Sequence, residues 1–102
     1  MIHVVIPVHN RLELTKKCIQ SLKDQSFKDW CAYVIDDGSS DGTFEWVKSL
    51  NYSNVYCFKG SGSLWWTGSM QLGVEHVLQR ASEDDYLMAL NNDVFLTERA
   101  IE

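Results

Sequence analysis

Four short runs rich in β-branched and aromatic residues, at 2–8, 30–35, 55–58 and 86–90, alternate with stretches whose apolar residues recur at helical spacing. No other feature constrains the fold as strongly. Continuous apolar runs of this length are strands covered on both faces. Connections long enough to hold a helix join such strands in parallel and with right-handed crossovers. The fold class expected is therefore α/β: a Rossmann-like, mostly parallel sheet of about four strands with flanking helices. In such open sheets ligands sit outside the carboxyl ends of the strands.

The helices can be read in the same way. Asn10 reads as an N-cap with Glu13 at the third helical position, a capping-box pattern. Leu14, Cys18, Ile19 and Leu22 then share a face as far as about residue 25. Phe44, Val47 and Leu50 stripe a second, shorter helix. Leu72, His76, Val77 and Ala81 share a face of a third, opened by Thr67 and Gly68 and running to about residue 82.

Bulk numbers narrow the function classes. At 102 residues, 45% of them apolar and 23% charged, the chain is one small domain with a real core. A net charge of −5 argues against nucleic acid as the main partner, since phosphate backbones need a basic face. No apolar run is long enough to span a bilayer, and no secretory leader is read at the N-terminus. Cys18, Cys31 and Cys57 are isolated among apolar neighbours and read as buried, reduced thiols, which points to a cytoplasmic location.

Three strand ends carry polar clusters: PVHN, DDGSSDGT and NND. At the first, His9 is a candidate ligand contact, whereas His3 reads as structural and His76 as a core or boundary residue. At the second, Asp36 and Asp37 stand before the turn, where a carboxylate can accept hydrogen bonds from a base or a ribose. Asp41 is better placed to cap the following helix. At the third, one carboxylate and two amides make no all-protein metal cage. They can hold Mg²⁺ or Mn²⁺ only when a ligand's phosphate oxygens complete the shell. The loop KGSGSLWWTG places Trp65 and Trp66 side by side among glycines. One is expected to plug the core and the other to face a ligand, and the sequence does not say which. Backbone N–H groups at the start of the next helix, near Gly68, are suited to phosphate.

Two look-alikes fail. The first strand is followed by IPVHNRL, not G-x-G-x-x-G, and in GSGSLWW a tryptophan stands where the third glycine belongs. SSDGT has Ser39 at the place of a phosphatase nucleophile.

Taken together, VVIPVHNR, VIDDGSSDGT and LNND resemble the N-terminal half of a family 2 glycosyltransferase of the GT-A fold. Their order and spacing agree with that family across nearly the whole chain. The resemblance implies a nucleotide-diphosphate sugar donor, with Pro7, Val8 and Asn10 lining the base pocket beside the strand-tip candidate His9. Asp36 or Asp37 would bind base or ribose, and Trp65, Trp66 and Gly68 would wall the donor. Asn91 and Asn92 would reach ribose and diphosphate, and Asp93 would hold a divalent metal, Mn²⁺ or Mg²⁺. It also implies inverting transfer to a hydroxyl of a carbohydrate or lipid-linked acceptor, in bacterial cell-surface polysaccharide synthesis at the inner face of the membrane. Asn91 departs from the family pattern, replacing the first Asp of D-x-D, and Gln71 stands where many members have Asn. Family domains are longer, with the acceptor site and catalytic base after the D-x-D strand. Residues 1–102 are thus expected to be a single partial domain, the donor-nucleotide-binding half, with the acceptor half absent, the catalytic base unassigned and little transfer by this chain alone. Its open sheet edge predicts self-association. A non-catalytic nucleotide-sugar-binding module and another nucleotidyltransferase-type α/β enzyme stay open as alternatives.

Overall fold

The computed structural model describes residues 1–91. Its elements alternate: β1 (Ile2–Val8), α1 (Leu12–Lys23), β2 (Trp30–Asp36), α2 (Thr43–Leu50), β3 (Val55–Lys59), α3 (Trp65–Leu78) and β4 (Tyr86–Ala89). The four strands form one sheet in the order β3-β2-β1-β4, and every pairing is parallel. This is the α/β sheet that the apolar runs predict.

The twofold alternation of strand side chains sorts the core into two layers. Val4, Ile6 and Val8 of β1, with Trp30, Ala32 and Val34 of β2, pack on Cys18, Ile19 and Leu22 of α1 and Val47 of α2. Val5, Cys31, Tyr33 and Ile35 face the other way, against Val77, with Met70 and Leu72 packed around it. All seven residues of β2 are buried, as a central strand with helices on both faces requires. The three cysteines are buried and none forms a disulfide among the described residues, in line with the expected buried, reduced thiols. His3 is buried too, between the Tyr33 hydroxyl at 2.8 Å and Asp85 Oδ2 at 2.7 Å. His76 is a boundary residue whose ring stacks on Phe58 at 3.7 Å.

Two helix starts differ from expectation. Asn10 is not the N-cap of α1. Asn10 and Arg11 both adopt left-handed backbone conformations, Arg11 is the cap residue, and no side chain of its own caps the helix. Glu13 approaches Lys16 rather than closing a capping box. The cap comes from a distant loop instead: Asp41 Oδ2 accepts the Leu12 N–H at 3.0 Å. α3 begins at Trp65 rather than at Thr67 and Gly68, so the tryptophans belong to a helix start and not to a free loop.

Candidate functional site

β1 and β2 are adjacent and in register, with Val8 opposite Asp36, so the loops that follow them emerge side by side. Hydrogen bonds then clip the two loops together. The Asp37 N–H donates to the Val8 carbonyl at 3.0 Å. The Ser40 N–H donates to Asn10 Oδ1 at 2.8 Å, and the Asn10 N–H to Ser39 Oγ at 2.6 Å. His9 Nδ1 donates to the Asp37 carbonyl at 2.6 Å. A carbonyl can only accept, so Nδ1 carries the proton and Nε2 is the acceptor of the neutral ring. Asp41 adds a further tie, taking the Thr43 N–H at 3.2 Å as well as that of Leu12. Its hydrogen bonds, that of the Thr43 side chain first, hold its carboxyl below the ordinary value.

Asp37 organises the third loop. Its Oδ1 accepts the Gly62 N–H at 2.7 Å, and its Oδ2 accepts those of Leu64 and Trp65, both at 2.9 Å. A carboxylate at a helix N-terminus meets orphan N–H groups and the positive end of the helix dipole. This carboxylate therefore already takes the N–H groups of Leu64 and Trp65 that open α3. Of roughly four lone-pair positions on a carboxylate, three are used and one is left for a ligand N–H. A side chain at position 60 would place its Cβ 2.7 Å from Asp37 Oδ1, which is why that position is glycine.

Trp65 has φ 57 and is 79% exposed, and Trp66 is 54% exposed. Neither plugs the core, contrary to the expectation for one of them. A bulky side chain in the left-handed region costs about 1–3 kcal/mol and persists where the surroundings enforce it. Here the Asp37–Trp65 hydrogen bond enforces it and holds a large ring outward.

Pro7, Val8, His9, Asp37, Trp65 and Trp66 line one cavity of about 250 Å³, with Gly62 and Ser69. It opens at the carboxyl edge of the sheet, where the loops after β1, β2 and β3 meet. Pockets that enclose a drug-sized ligand hold about 300–1,000 Å³, so this one encloses a ring-sized part of a larger molecule. Apolar walls with a few polar groups, His9, Asp37 and Ser69, suit a flat heterocycle carrying N–H and C=O groups.

Other candidates lie elsewhere. Asn10 is spent on the loop–loop clip. Gly68 is inside the first turn of α3, its N–H on the Leu64 carbonyl at 3.0 Å. Asp36 turns to the opposite side. Its Oδ1 accepts the Ser39 N–H at 2.8 Å, while Oδ2 is buried with no partner among the described residues, beside a separate cleft that Lys59 and Glu45 also line. Asn91 is exposed next to the cavity, and its Oδ1 accepts the Trp66 indole N–H at 3.0 Å. Asn92 and Asp93 lie outside the described residues. Among the described residues no three His, Cys, Asp or Glu side chains converge as a cation site. Asn91 brings only a neutral oxygen that an indole already uses, so these residues do not by themselves fit a resident cation. No helix is long and apolar enough to cross a membrane among the described residues.

Gly62 and Ser69 are missing from the sequence expectations. With α3 starting at Trp65, Ser69 lies one turn further on, on the same side as the ring; a helix opened at Thr67 hides that spacing.

Comparison with known proteins identifies the family and the fold. A family model described as glycosyl transferase family 2 matches residues 3–102. Over 47 residues the chain is 45% identical to the GalNAc(5)-diNAcBac-PP-undecaprenol beta-1,3-glucosyltransferase of Campylobacter jejuni, covering 46% of this chain and 15% of that protein. Among solved structures, S. aureus TarS 1-349 in complex with UDP superposes with TM-score 0.80 at 18% identity, over 98% of this chain and 29% of that one. The same protein in complex with UDP-GlcNAc gives 0.81 at 19% identity, over 95% and 28%. At such identity the likeness is one of fold. The chain spans under a third of the length of each of these proteins.

Proposed function

The chain belongs to glycosyl transferase family 2, and on that premise we propose that residues 1–102 are the donor-nucleotide-binding half of an inverting glycosyltransferase. The whole protein would transfer a sugar from a nucleotide-diphosphate sugar to a hydroxyl of a carbohydrate or lipid-linked acceptor. The observation that carries this reading is the convergence of Pro7, Val8, His9, Asp37, Trp65 and Trp66 on one cavity at the carboxyl edge of a parallel sheet. Support comes from the C. jejuni glucosyltransferase and from the UDP and UDP-GlcNAc complexes of TarS.

In this reading Pro7, Val8 and the Trp65 ring sandwich the base, and the free lone pair of Asp37 takes a base N–H. Asn91 and Asn92 reach ribose and diphosphate. Asp93 would hold Mn²⁺ or Mg²⁺ together with the donor's own phosphate oxygens, and the cation would supply Lewis-acid stabilisation of the departing diphosphate. The catalytic base and acceptor site belong to a further part of the domain, and residues 1–102 alone transfer little sugar. The setting proposed is polysaccharide synthesis on the cytoplasmic side of a bacterial membrane.

Calorimetric titration with UDP- and dTDP-sugars, with and without Mn²⁺, tests the reading. Saturable binding that Mn²⁺ strengthens, and that Asp93→Ala makes insensitive to Mn²⁺, is expected. Absence of binding to either donor contradicts the donor site, and an unchanged Mn²⁺ effect in Asp93→Ala contradicts the metal assignment.

A further inference from the structure

The Trp66 indole N–H donates to Asn91 Oδ1 at 3.0 Å, and Trp66 also lines the cavity. An indole nitrogen can donate but never accept, so it selects the oxygen end of the amide. The Nδ2 end, with two N–H donors, is left for whatever lies beside the cavity. The backbone of Asn91 is also anchored, since Cys18 Sγ approaches its carbonyl at 3.8 Å. We propose that Trp66 is a positioning residue that fixes the Asn91 amide so that it donates to an anionic oxygen of the donor's diphosphate. This inference rests on the donor-site reading above. It also gives the neutral side chain at position 91 a role of its own: an aspartate there would turn a second acceptor, rather than a donor, towards the phosphates.

Trp66→Phe keeps the aromatic wall and deletes the N–H. The test titrates UDP and uridine into the wild-type chain, Trp66→Phe, Asn91→Ala and the double variant, all without metal. One charge-assisted hydrogen bond corresponds to roughly tenfold in affinity. Trp66→Phe and Asn91→Ala should each weaken UDP by about that factor, weaken uridine by clearly less, and show no further loss when combined. Asn91→Asp should weaken metal-free UDP binding more than Asn91→Ala does, through repulsion. Equal losses for UDP and uridine in Trp66→Phe mean a wall residue only and overturn the proposal. So does a full Trp66→Phe effect in the Asn91→Ala background. Failure of the wild-type chain to bind either ligand overturns the donor-site reading itself, an outcome distinct from wild-type binding that Trp66→Phe leaves unchanged.

Discussion

The backbone N–H of Trp65 donates to Asp37 Oδ2 at 2.9 Å, across the gap between the end of β2 and the start of α3. One carboxylate thereby fixes the entry of a helix, the glycine loop before it and the outward throw of an exposed indole. Asp37→Asn leaves a single oxygen for three N–H groups and points an NH₂ at the rest. The expected loss is about 1–3 kcal/mol of stability, because hydrogen bonds to a buried charged acceptor are the strong ones. Urea unfolding of the variant beside the wild type measures it, and an unchanged midpoint would contradict the organising role.

Trp65 itself should trade stability for binding. Trp65→Gly removes the strain of φ 57 while keeping the N–H that Asp37 accepts. The variant is expected to gain about 1 kcal/mol in unfolding free energy. It should lose most of its affinity for a pyrimidine nucleotide, because the ring that covers the base is gone. A parallel thermal melt and fluorescence titration separate the two effects.

Gly73 lies within α3, where alanine ordinarily stabilises by about 1 kcal/mol. Here a Cβ would fall 2.3 Å from Val5 Cγ1 and 3.3 Å from Ile35 Cγ1, both on fully buried residues of the two central strands. Neither branched side chain has room to turn away, so overpacking of about 1–3 kcal/mol outweighs the propensity gain. Gly73→Ala is therefore expected to lower the melting temperature, the reverse of the change usual at an exposed helical glycine.

Acid sensitivity should centre on Asp85. The hydrogen bond from His3, then that from the Ser82 N–H, holds its carboxyl well below the ordinary carboxylate value. A folded value below the unfolded one means that the unfolded chain binds the proton first. The contribution is complete above the unfolded value of about 3.9 and is lost as pH falls towards the folded one. In Asp85→Asn the stability measured from pH 6 down to pH 3 should fall less steeply than in the wild type, and an identical slope would contradict the assignment.

β4 is an edge strand of the described sheet, with Tyr86 73% and Leu87 49% exposed. Unpaired backbone beside exposed apolar side chains is a template for pairing with another chain. Light scattering is expected to show a mass that rises with concentration, and Leu87→Lys should suppress the rise. A constant monomer mass in the unsubstituted chain would contradict self-association through this edge.

The four strands, the helices between them and the parallel α/β sheet were legible because β-branched runs and helical apolar spacing are local signals. Of the residues in the family pattern, Pro7, Val8 and Asp37 line one cavity, whereas Asn10 and Asp36 do not. The contact of Asp41 with the start of α2 was legible, through the Thr43 N–H, but the caps between distant segments were not. Asp41 caps a helix that begins 29 residues earlier in the chain, and Asp37 caps one that begins 28 residues later. Such partners are set by which strands lie side by side, and no spacing along the chain encodes them. The same reason hides the start of α3: a tryptophan with positive φ is a poor helix opener by propensity, and only the tertiary hydrogen bond makes it one. Asn10 was misread likewise, since its amide serves the neighbouring loop rather than the helix it precedes.

Backbone amide chemical shifts followed by NMR during titration with UDP decide whether the cavity at the sheet edge holds the nucleotide. Saturable shifts are expected at Val8, His9, Asp37, Gly62, Trp65, Trp66 and Ser69, around that cavity. Shifts confined to the cleft between α2 and β3, or none at saturating nucleotide, would contradict that placement.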